Sequence, residues 1–126
     1  MVFTSVELLF FSTFELCFNT IKLMVIFHTT FHLSGEVFLR GVDYLKSVYI
    51  PEAVRSGKLC NPRMMRVLNE DADVNGISLS VQFSVADMDV FNDWVSKEGV
   101  ALQRAISKQF SDEIAGFSTF LEEIDL

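Results

Sequence analysis

Two histidines stand four residues apart in the run VIFHTTFHL, Val25 to Leu33, where imidazoles could bind a metal or move a proton. The run alternates apolar and polar residues, the period of a strand, so His28 and His32 share a face but lie roughly 13 Å apart, too far to ligate one ion. No metal site is expected. Either histidine could serve as a general base, yet no Cys or Ser is placed beside them by a local motif to act as nucleophile. Asp71-Ala72-Asp73-Val74-Asn75-Gly76 matches the first half of a calcium-binding EF-hand loop. The match then fails, because its twelfth position is Gln82 rather than a bidentate Glu, and a strand pattern follows Gly76. The six glycines are isolated and none opens a phosphate-binding strand-to-helix turn, so no nucleotide cofactor is implied. Trp94 falls on an apolar helical stripe and reads as core, although an indole beside a cleft could stack on a planar ligand.

The elements that position these residues follow from periodicity. Val25, Phe27, Thr29, Phe31 and Leu33 alternate with Ile26, His28, Thr30 and His32, which gives a first strand. Ser34 is the expected N-cap of a helix carrying Val37, Phe38, Val42, Leu45, Val48 and Tyr49, broken or kinked at Pro51 and ended at Gly57. Arg63 to Leu68 and Ile77 to Val85 read as a hairpin, with Asn69 to Gly76 as an acidic tip turning at Asn75-Gly76. Asp87 caps a long helix with Val90, Phe91, Trp94, Val95, Ala101, Leu102, Ala105 and Ile106 on its apolar face, and Ile114 to about Ile124 forms the last strand. Two βαβ halves around a hairpin define an α+β, ferredoxin-like β-α-β-β-α-β fold, a four-stranded antiparallel sheet with two helices on one face. With the first and third strands central, their apolar residues must meet the helices. The other face then presents His28, Thr30, His32, Ser78, Ser80, Gln82 and Ser84, with Arg63 or Arg66 and Thr119 or Ser118 joining from the edges. Such a face can be solvated, line a ligand site through His28, Thr30, His32, Ser80 and Gln82, or meet a second copy.

Composition removes several functions. A net charge of −7 over 126 residues, with Lys and Arg scattered singly, argues against a nucleic-acid partner and gives an anionic membrane surface no better support. Cys17 and Cys60 belong to no metal or redox motif and suggest reduced thiols in the cytoplasm. Residues 1–23 are rich in Phe and Leu, but Glu7 precedes the run Leu8 to Phe11, and Glu15, Asn19 and Lys22 interrupt any membrane-length window. Because the strand pattern begins at once after Met24, the domain is expected to be residues 24–126, with 1–23 an extension or a misassigned start.

Four segments, MVIFHTTFHL, VYIPEAVRSGKL, RMMRVLNED with GISLSVQF, and IAGFSTFLEEIDL, occur in order and resemble the bacterial domain-of-unknown-function family numbered 4286. That family is similar to the dimeric α/β-barrel proteins, which implies a homodimer. It implies no catalytic residue, and those barrel proteins host too many chemistries for the fold to select one. The expected protein is thus a small cytoplasmic domain, homodimeric, without an identifiable catalytic motif or cofactor. The alternative is a barrel-type small-molecule-binding protein or cofactor-independent enzyme that works on the polar sheet face.

Overall fold

The computed structural model describes residues 25–68 and 76–126. The 1–23 extension, the acidic hairpin tip and the EF-hand-like segment up to Asn75 lie outside the described residues. Strands β1 (Val25–Leu33), β2 (Leu59–Arg66), β3 (Ile77–Val85) and β4 (Ile114–Glu122) form one antiparallel sheet in the order β2-β3-β1-β4, with β1 and β3 central as their alternation requires. One helical run comprises α1 (Phe38–Tyr44) and α2 (Ile50–Ala53), joined without a break by a π turn at Leu45–Tyr49. A second comprises α3 (Met88–Trp94) and α4 (Val100–Phe110), joined by a π turn at Val95–Gly99. Both runs pack on the face that carries Phe27, Phe31, Leu79, Val81, Phe83 and Val85, all buried. Among the described residues, no helix is long and apolar enough to cross a membrane.

Three local expectations are corrected. Ser34 does not cap the first helix. Its carbonyl accepts from Val37 N in a turn, and the helix begins after Val37 with no side-chain cap. The helical run is not broken at Pro51, which sits in the first turn of α2 directly behind the π turn. There Ile50 N donates to Leu45 O, five residues back, so the wider turn accommodates a ring that would clash in a continuous α-helix. Strand β2 starts at Leu59, ahead of Pro62, because it is an edge strand and a register shift between Cys60 and Arg63 lifts Asn61-Pro62 out of the ladder. Asn61 takes a positive φ of 52° at that shift.

The π turn has a cause in the sequence. Val37, Gly41, Leu45, Tyr49 and Ala53 are all buried and recur every fourth residue. An α-helix rotates about 100° per residue, so each such step overshoots by about 40°. One residue absorbed in a wider turn brings the stripe back onto the sheet and leaves Val48, part of the expected apolar face, exposed. Other expectations hold as read: Asp87 Oδ1 accepts from Val90 N at 2.8 Å, and Gly57 ends the first helical run at φ 80°.

Candidate functional site

Every residue expected on the polar face is on it, and register settles the edges. His28 pairs with Gln82 and Thr119, and Gln82 with Arg63, so these four make one row across the sheet. Thr30 pairs with Ser80 and Phe117, and Ser80 with Met65, in the next row. Arg66 and Ser118 belong to the helix face instead, and the Arg66 guanidinium lies 5.5 Å over the Phe38 ring. The stripe bonds within itself: His28 Nε2 and Ser80 Oγ are 2.6 Å apart, His32 Nδ1 and Ser78 Oγ 3.0 Å. Each imidazole is occupied by a serine hydroxyl rather than aimed at a shared point. Among the described residues, no three His, Cys, Asp or Glu side chains are grouped to hold a metal.

A concavity is found on the other side of the sheet. A cavity of about 370 Å³ lies behind the sheet, between β1 and β4 on one side and the second helical run on the other. Its floor is Phe27, Thr29 and Phe31 of β1, and β4 contributes Gly116, Ser118 and Phe120. Across from them stand Trp94, Val95, Gly99, Gln103 and Ser107, and Tyr49 closes one end. The walls are fixed by packing. The Trp94 indole N–H donates to Ala53 O at 2.9 Å, tying the two helical runs together, and Phe27 stacks on Phe120 with ring centroids 5.6 Å apart. Thr29 Oγ1 and Ser118 Oγ lie 3.0 Å apart across the strand pair, a polar spot in an otherwise aromatic floor. Burial pushes the Tyr49 phenol up to about 12, so the ring meets the cavity uncharged at neutral pH.

Charge collects outside the cavity, at the second π turn. Lys58 reaches Asp93 at 3.0 Å and Glu98 at 3.6 Å, and Lys97 reaches Asp93 at 2.9 Å. The hydrogen bonds from Lys97 and then Lys58 hold the Asp93 carboxyl below its usual range. This cluster clamps the loop after the first helical run onto the second.

Residues 24–124 match the family described as Domain of unknown function (DUF4286). The chain belongs to that family. No curated protein matches it. Among solved structures, this DUF4286 chain is similar to an ethyl tert-butyl ether D (EthD) family protein from Bacillus halodurans, with 10% identity and a TM-score of 0.60 over 79% of this chain and 99% of that one. A dimeric ferredoxin-like protein from an uncultured marine organism follows at 17% identity and TM-score 0.51, covering 82% and 98% of the two chains. A dimeric ferredoxin-like protein of unknown function from Thermobifida fusca has 15% identity and TM-score 0.52, over 79% and 92%. These likenesses establish the ferredoxin-like fold.

In the DUF4286 chain the cavity residues were the part that periodicity passed over. Two signals were present. Thr29 is the single polar residue in the buried set of β1, and Gly99, Gln103 and Ser107 place small or polar side chains every fourth residue where an apolar stripe is due. What the sequence lacked was the register that sets Gly116 against Phe31 and Ser118 against Thr29.

Proposed function

We propose that the chain acts as a homodimeric domain in which two sheets meet across the face opposite the helices. The observation that carries this is the make-up of that face. Met65 and Val67 on one edge, and Phe117 and Leu121 on the other, are exposed apolar side chains, Phe117 at 66%. They flank a central stripe whose histidines and serines already bond to one another. Covering such a surface removes apolar area from water without stranding the polar groups between, because their partners go with them. Solved structures of similar fold are described as dimeric, which favours a second copy of this chain as the cover. Cys60, a thiol that donates to Ser84 O at 3.6 Å, and the acidic composition accord with a cytoplasmic setting.

The small-molecule alternative on the same face needs a concavity lined by His28, Thr30, His32, Ser80 and Gln82. The cavity described above lies on the other side of the sheet, so the stripe is better read as part of an interface than as a binding cleft. Sedimentation velocity on the full chain tests this. A dimer is expected, and Phe117→Asp should weaken association by about thirtyfold or more, as for an aromatic anchor replaced by a charge within an interface. A wild-type monomer at high micromolar concentration would overturn the proposal.

A further inference from the structure

We infer that the cavity between β1, β4 and the second helical run is a binding site for a neutral, largely aromatic molecule of about two rings carrying one hydroxyl or carbonyl. This rests on the helix side of the sheet and is independent of the dimer proposal.

Size comes first. The space is a cleft open to solvent along β4 and the polar side of α4, and an apolar cavity of about 150 Å³ already accepts benzene. The 370 Å³ here is room for roughly two such rings. Nor is it a defect that neighbouring side chains failed to fill. Two of its wall positions are glycines on which aromatic rings pack directly against backbone: a Cβ at Gly99 would lie 2.6 Å from the Trp94 ring, and one at Gly116 would lie 3.2 Å from Phe31. The rings stand where they do because those positions are empty of side chain.

The helices supply a separate observation. Each run carries one π turn, and each turn contributes to the cavity wall, Tyr49 from the first and Val95 with Gly99 from the second. Such turns forgo regular α-helical bonding and recur at functional sites.

Chemistry narrows the occupant. No ionisable group other than the Tyr49 phenol lines the space, so a charged ligand would shed its water without a counter-ion. The aromatic lining, in which Phe27 and Phe91 each touch both Trp94 and Phe120, suits a flat ring system. The Thr29 and Ser118 hydroxyls use one donor and one acceptor on each other at 3.0 Å, which leaves a second O–H and further lone pairs for a single polar group. Gln103 and Ser107, both exposed, place polar atoms at the solvent side of the cavity, where a ligand enters.

The test is an NMR titration of the isotope-labelled full chain with 2-naphthol, and in parallel with naphthalene-2-carboxylate, an anion of the same ring size. 2-Naphthol should shift the Thr29, Gly99, Gly116 and Ser118 amide signals saturably, and the anion should bind at least tenfold more weakly. Ser118→Ala, which keeps the backbone, should weaken 2-naphthol about fivefold, as expected for one lost hydrogen bond, while leaving plain naphthalene unchanged. Gly116→Val should fill the space and abolish binding of all three. No saturable shift in the wild-type chain, shifts confined to other residues, or equal affinity for the anion would each overturn the inference. A chain that proves monomeric yet binds 2-naphthol at these residues would reject the dimer proposal and leave this one standing.

Discussion

The two faces of the sheet are built from the same strands, residue by residue in alternation, and yet they are made stable in different ways. Toward the helices, Phe83, Val81, Val85 and Leu33 are sealed from solvent and gain from dispersion and the hydrophobic effect. Toward the opposite side, Ser78 and Ser84 are also buried although no helix covers them. There the strands' own neighbours, and the bonds from His32 to Ser78 and from His28 to Ser80, make a flat polar surface with apolar margins. The helix face can hold its shape in a single chain. The polar face is ordered in a single chain too, but its margins leave Met65, Val67, Phe117 and Leu121 exposed, to be covered only in the dimer proposed above. A sheet can therefore be complete as a fold on one side and incomplete as an assembly on the other.

Substitutions on the two faces should break this contrast unequally. The largest effect is expected for Phe83→Ala, about 3–5 kcal/mol of unfolding free energy by denaturant titration, because the ring is packed against Phe27 and Tyr49 and the hole cannot collapse. A loss below about 1 kcal/mol would mean that the helices do not carry the core. Next is pH. Tyr49 is held protonated by burial up to about 12, against 10.0 when unfolded, so stability is intact below pH 10 and falls as pH rises from there through 12, by roughly 2–3 kcal/mol. Tyr49→Phe should remove that part of the slope. Ser80→Ala on the open face should cost only about 1 kcal/mol, the net worth of its bond to His28, and Asp87→Ala about the same through its lost cap. If Ser80→Ala proved as costly as Phe83→Ala, the polar face would be a second core and the comparison would fail.

Much of this arrangement was legible in the residues. The period of two in β1 and β3 fixed which side chains meet the helices, and Asp87 followed by an apolar periodic run marked its helix start. Ser34 misled because its type suits a cap while the chain first makes a turn through Val37. Pro51 misled in the opposite direction: a wider turn ahead of it made the helix tolerant of it, and a strict four-residue spacing from Val37 to Ala53 was the hint. The start of β2 was hidden because Pro62 is admissible only on an edge and at a bulge, and edge status is a property of the whole sheet. The cavity was least legible, since it arises from β4 docking in a register that brings two small residues opposite β1, a long-range pairing no local pattern encodes.

The bond from the Trp94 indole to the Ala53 carbonyl has a practical corollary. Trp94 is the sole tryptophan of the chain, 3% exposed, and its one hydrogen-bonding group spans the two helical runs. The protein thus carries its own optical gauge. Blue-shifted emission should report the two runs docked together, and the onset of its red shift, compared with loss of far-ultraviolet ellipticity, would show whether the helices part from each other before they melt.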